Sequence, residues 1–139
     1  EWRMNKMILV SGGFDPPHIG HVRMFKEAAK WGNVVVAINS DASVKLNKGK
    51  NRPIINLKDR IKILSELNCV DYVITFNSKT PEKLYKLLKP NVITKGKDYF
   101  KKNIAGLDYV LKNGGSLKLI PLKKNQSTTR IINKIKKLD

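Results

Sequence analysis

The stretch Met7-Ile8-Leu9-Val10-Ser11-Gly12-Gly13-Phe14-Asp15-Pro16-Pro17-His18-Ile19-Gly20-His21 decides how the chain is read. Its first four residues are an apolar run with the look of a buried strand. Val22–Lys30 follows as an amphipathic stretch, so the order is strand, tight loop, helix. Gly12 and Gly13 lack a Cβ and let a ligand's phosphates approach the backbone. Pro16 and Pro17 stiffen the loop. His18 and His21 stand three apart at the helix start, so both can face the loop. A helix N-terminus offers unpaired N–H groups and a positive dipole end, which suits an anion. The plain alternative is a tight connection carrying two surface histidines.

Gly32-Asn33 closes the helix, and Val34-Val35-Val36-Ala37-Ile38-Asn39 reads as a strand buried on both faces of a parallel sheet. Strand, helix, strand makes a right-handed βαβ unit. Polar Asn39-Ser40-Asp41 emerges beside the first loop, on the sheet edge where open α/β folds bind ligands. Ala42–Pro53 carries Lys45, Lys48, Lys50, Arg52 and Gly49, and reads as a mobile cationic loop or lid. Asn56 caps the next helix, whose stripe is Leu57, Ile61, Leu64 and Leu67; Arg60 lies off that stripe, as a surface residue would.

Tyr72–Phe76 is the third strand. A helix capped by Thr80, with Pro81 in its first position, follows and ends at Pro90. Val92-Ile93-Thr94 is the fourth strand and runs into Lys95-Gly96-Lys97-Asp98-Tyr99, a candidate phosphate contact or an ordinary charged turn. Ser116–Leu122 is the fifth strand. Ser127-Thr128-Thr129 starts a last helix, as cap or as phosphate ligand, with Ile131, Ile132, Ile135 and Leu138 as its buried face. The alternation implies one α/β domain, residues 7–139, after an extension at 1–6. Its Rossmann-like sheet has about five parallel strands with helices on both faces.

The 139 residues suffice for one core and not two, and 41% hydrophobic content excludes a disordered chain. No apolar run reaches membrane-spanning length. The single cysteine, Cys69, rules out an internal disulfide and fits a reducing, cytoplasmic setting; Leu67 and Val70 beside it suggest a buried thiol. A zinc site built on His18 and His21 is a further alternative, against which one cysteine and the lack of a third histidine weigh. The formal charge of +17 favours anionic partners, either phosphorylated small molecules or nucleic acid. A nucleic-acid module would gather its basic residues on one face with aromatics among them; here lysines spread along the chain and aromatics sit at core-facing positions.

GGFDPPHIGH closely resembles the G-x-F-D-x-x-H-x-G-H signature of the cytidylyltransferase-like nucleotidyltransferases. The resemblance extends from Met7 to Ile135 toward heptose-1-phosphate adenylyltransferase domains, through VVVAINSDAS, NRPI, LKDRIKILSELNCVDYV, TPEKL, LKPNVITKGKDY, IAGLDYVLKNGG and STTRIINKI. Glycerol-3-phosphate cytidylyltransferases are similar over fewer stretches. The departures are Gly13 and Pro16-Pro17, where the heptose enzymes usually carry a cysteine and apolar residues.

The resemblance implies transfer of AMP from ATP to a sugar 1-phosphate with release of pyrophosphate, Mg²⁺ as cofactor, and a homodimer. The alternative is a CTP-dependent enzyme acting on glycerol 3-phosphate. It implies catalytic roles for His18, His21 and Lys45. Nucleotide contacts would come from Gly12, Gly13, Phe14, Asp15, Gly20, Arg60, Lys95, Gly96, Asp98, Ser127, Thr128 and Thr129, and the acceptor's hydroxyls would meet Asp41. No metal ligands are assigned.

Overall fold

A computed structural model describes residues 6–96, 103–121 and 128–138, with no side chains for 128–130. The elements run β1 (Met7–Gly12), α1 (Ile19–Ala29), β2 (Asn33–Asn39), α2 (Asp41–Lys48), α3 (Leu57–Ser65), β3 (Tyr72–Phe76), α4 (Glu82–Leu88), β4 (Val92–Gly96), α5 (Leu107–Lys112), β5 (Ser116–Ile120) and α6 (Thr128–Lys136). The five strands form one sheet in the order β3-β2-β1-β4-β5, and every pairing is parallel.

Side-chain alternation along each strand divides the core into two layers. Ile8 and Val10 of β1 join Val34, Val36 and Ile38 of β2 on one face, against Phe25 and Ala28 of α1 and Leu64 of α3. Leu9, Val35, Ala37 and Ile93 face the other way, toward Tyr85 of α4 and Leu107 and Val110 of α5. Every residue of β2 is buried, as its unbroken apolar run predicts. The chain moves outward from β1 to β2 and β3, then returns to β4 on the other side of β1. That reversal opens a crevice at the carboxyl ends of β1 and β4.

Four local expectations differ. The stretch read as a mobile loop is helical from Asp41 to Lys48: the Ser40 hydroxyl accepts from Ser43 N–H as an N-cap, Ser43 and Val44 are buried, and Gly49 ends the helix at φ 104°. Thr80 does not cap α4; Pro81 holds that position without a side-chain bond. The expected buried face of α6 is half open: Ile131 and Ile132 are partly buried, but Ile135 is 58% and Leu138 77% exposed. Cys69 is only partly buried against the first layer. Among the described residues no helix is long and apolar enough to cross a membrane.

Candidate active site

A cavity of about 560 Å³ opens at the carboxyl edge of the sheet. The β1–α1 loop, with Gly12, Gly13, Phe14 and Asp15, forms its floor, and His18, Gly20 and His21 come from the start of α1. Lys95 and Gly96 enter from the end of β4. The β2–β3 side contributes Asn39, Asn47, Lys48, Lys79 and Thr80. Arg52 lines the cavity from the segment before α3.

Local geometry fixes the two histidines. His18 is the N-cap of α1, and its Nδ1 accepts the Gly20 N–H at 3.1 Å. His21 reaches back, its Nδ1 accepting the His18 N–H at 3.1 Å. Imidazoles thus fill both halves of a capping box, where Ser and Glu are the usual pair. An Nδ1 that accepts carries no proton, so each neutral ring holds its proton on Nε2 and is a donor there. The rings stack with centroids 3.7 Å apart, and the Phe14 ring meets His21 edge-on at 4.8 Å. Burial, and secondarily the neighbouring His18, pushes the His21 pKa down to about 3; burial also lowers that of His18. The pair is therefore neutral at pH 7.

This arrangement changes the expected use of the helix N-terminus. The Gly20 N–H goes to His18 Nδ1, and the His21 and Val22 N–H groups go to the His18 carbonyl. The helix start does not offer those donors to an anion. It orients two imidazoles, whose Nε2–H groups have no partner among the described residues. Gly12 also has a packing role, since a Cβ there would stand 3.2 Å from the Phe14 ring. Phe14 itself is held at φ 50°, a left-handed conformation that is uncommon for a residue with a side chain.

Lys95 donates from Nζ to the Ser11 hydroxyl at 3.0 Å, and burial lowers its pKa to about 8. It therefore still carries its charge at pH 7.

Asp15 and Arg60 line up differently from expectation. The Asp15 carboxylate, 1% exposed, accepts from Arg52 Nε at 2.9 Å and from the Ile54 and Ile55 N–H groups at 2.7 Å each. It straps residues 52–55 beneath the loop. Arg60 is no surface residue: it is 0% exposed, donating to the carbonyls of Ile55, Gly13 and Asn39 and to Asp41 Oδ1. Arg60 and Asp41 are thus paired with each other and do not line the cavity, and neither does Lys45, which is exposed on α2. Asp98 and Ser127 lie outside the described residues, as do the side chains of Thr128 and Thr129.

Asn47, Lys79 and Thr80 gained no site role from the sequence, Arg52 only a place in the cationic loop and Asn39 only one on the ligand-binding edge. Asn39 had a signal, as the one polar end of an apolar strand, and its buried Nδ2 donates to the Ser43 hydroxyl at 3.1 Å. Lys79 and Thr80 had none. Among the described residues no group of three His, Cys, Asp or Glu side chains is placed to hold a metal ion.

Comparison with known proteins bears on the family of the chain. The bifunctional protein HldE of Hydrogenovibrio crunogenus is 46% identical over 135 residues, and that of Coxiella burnetii 41% over 130. These alignments take in 96% and 93% of this chain, but it spans only 28% and 27% of those proteins. A lipopolysaccharide core biosynthesis protein from Thermoplasma volcanium superposes with a TM-score of 0.68 at 28% identity, over 87% of this chain and 98% of that one. A pantoate-beta-alanine ligase from Francisella tularensis, at TM-score 0.56 and 18% identity over 96% of this chain and 71% of its own, shares the fold. The family model described as cytidylyltransferase-like matches residues 9–134, which takes in everything from β1 to the body of α6. By that match the chain belongs to the cytidylyltransferase-like family of nucleotidyltransferases.

Proposed function

We propose that this domain transfers AMP from ATP to a sugar 1-phosphate, a heptose 1-phosphate in the first instance, and releases pyrophosphate. The observation that carries the reading is the stacked, neutral His18–His21 pair sharing one cavity with charged Lys95. The resemblance of VVVAINSDAS through LKPNVITKGKDY to heptose-1-phosphate adenylyltransferase domains supports ATP and a heptose phosphate over CTP and glycerol 3-phosphate.

The chemistry asks little of acids and bases. A phosphate oxygen of the acceptor forms a bond to the α-phosphorus, and the bond from that phosphorus to the oxygen bridging to the β-phosphate breaks. The acceptor phosphate is already a nucleophile and pyrophosphate leaves as an anion, so no strong general base is required. His21, with its pKa near 3, is no proton shuttle at pH 7. It acts as an oriented hydrogen-bond donor, as does His18. Lys95 supplies positive charge from the β4 side of the crevice. Catalysis is then positioning and charge stabilisation at the phosphates.

Mg²⁺ would come to this site with the triphosphate and would offset phosphate charge there. Asp15 already accepts three N–H donors and Asp41 is paired with Arg60, so the described residues offer no preformed cage. Mg²⁺ commonly stays on substrate phosphates and water with few protein ligands.

The test is a screen of nucleoside triphosphates against sugar 1-phosphates and polyol phosphates, reading pyrophosphate release. Turnover of ATP with a heptose 1-phosphate is expected. Turnover with CTP and glycerol 3-phosphate alone would move the chain to the cytidylyltransferase reading.

A further inference from the structure

A guanidinium has two edges, each able to make a pair of parallel hydrogen bonds. On Arg52 the side-on edge belongs to the fold. Its Nε donates to Asp15 Oδ2 at 2.9 Å and its Nη2 to the Asp15 carbonyl at 2.8 Å. The other edge is different, since Nη1 has no partner among the described residues. The side chain is only 14% exposed, and it lines the cavity that His18, His21 and Lys95 also line.

Neutralising Asp15 does not account for this geometry. A planar cation largely withdrawn from water is unfavourable unless its remaining donors meet an acceptor. The Ile54 and Ile55 amides on Asp15 hold the backbone after Pro53, and the Arg52 N–H, donating to the Gly49 carbonyl at 3.2 Å, holds it before, so the guanidinium is already positioned before any ligand arrives. A preorganised donor of this kind loses little further entropy on binding. Lys45, the cation the family resemblance assigns to this region, is exposed and absent from the cavity wall.

We infer that Arg52 is a further substrate contact, its end-on edge taking a phosphate oxygen in the cavity. The same chemistry is offered by the triphosphate and by the phosphorylated acceptor. The inference rests on the proposed function in one respect, that the cavity receives phosphorylated substrates. Arg52→Lys tests the edge without removing the charge beside Asp15, because an ammonium cannot bond Asp15 and a phosphate with two fixed forks.

The experiment titrates Arg52→Lys, Arg52→Gln and wild type with α,β-methylene-ATP and, separately, with a heptose 1-phosphate. Lys50→Gln, an exposed charge loss two residues away, is the control. Urea unfolding checks each fold. We expect both Arg52 variants to lose about tenfold or more in affinity for one probe, the charge-assisted bond being lost, while Lys50→Gln binds both as wild type does. Loss in the ATP-analogue arm assigns the edge to the triphosphate; loss in the heptose arm assigns it to the acceptor. Arg52 variants that bind both probes within about twofold of wild type overturn the inference. Wild-type protein that binds neither probe overturns the proposed function, and this inference with it. Should the variants not fold, phenylglyoxal labelling of wild type decides: one of the two probes must slow adduct formation at Arg52, and equal labelling in all samples overturns the inference.

Discussion

Arg60 and Arg52 are both arginines beneath the first loop, and the fold uses them to different extents. Arg60 gives its guanidinium to three carbonyls and a carboxylate, all within the protein, and has no exposed surface. Arg52 gives one edge to Asp15 and keeps the other at the cavity wall. The histidines resemble Arg52, with Nδ1 serving the helix and Nε2 left over. Residue type does not separate structural from functional charge here. The fraction of each polar group that the fold consumes does. A fully consumed group should affect stability, and a half-consumed one should affect turnover.

Replacing Arg60 by Met gives the largest effect on the structural side. It leaves the buried carbonyl of Asn39, and the partly buried carbonyls of Gly13 and Ile55, without their donor. We expect a loss of about 3–5 kcal/mol in unfolding free energy, measured by urea titration. A loss near zero, with ATP affinity collapsing instead, would place Arg60 among the ligands and erase the contrast.

The opposite behaviour is expected of His18→Asn. Asparagine is a good N-cap, so stability should change by less than about 1 kcal/mol. The Nε2–H donor disappears, and kcat should fall by about 10²–10³ with ATP affinity nearly unchanged. Pyrophosphate release and thermal unfolding on the same sample separate the two. Near-normal turnover would reduce the pair to a helix cap.

A smaller effect sharpens the comparison through pH. His21 is neutral in the fold down to about pH 3, whereas an unfolded histidine takes a proton near 6.5. Between those values the unfolded state binds more protons. This contribution to stability is complete above pH 6.5 and is lost as pH falls toward 3, at up to about 1.4 kcal/mol per pH unit. Urea midpoints at pH 7.5 and 5 should differ more for wild type than for His21→Asn. An identical pH dependence in the two would mean that the ring is not held neutral by its surroundings.

The sheet was legible because its signal is periodic and local. Val34–Ile38 could be little other than a strand covered on both sides, and the βα alternation dictated parallel pairing. The histidine pair was legible for the same reason, since a separation of three on a helix is geometry. The helix at Asp41–Lys48 was hidden by its lysines and asparagine, which read as a solvated loop although Ser40 and Gly49 bracketed it as cap and stop. The partners of Asp15 and Arg60 were beyond reach. They join residues far apart in sequence, and nothing local distinguishes a carboxylate that will take three buried donors from one that will face water. For the same reason the half-open face of α6 was misread, because a stripe of isoleucines shows amphipathicity without showing that a partner exists.

The strap at Asp15 also bears on how this sequence can drift. Two of its three anchor points on residues 52–55 are main-chain amides, of Ile54 and Ile55. Every amino acid but one carries that amide, so the identity of the side chain at position 54, which is 55% exposed, is nearly irrelevant to the strap. Proline alone is barred at both places. The information that shapes this corner is thus stored at the aspartate and at Arg52, while the side chain at position 54 is free to change without moving the backbone that carries it.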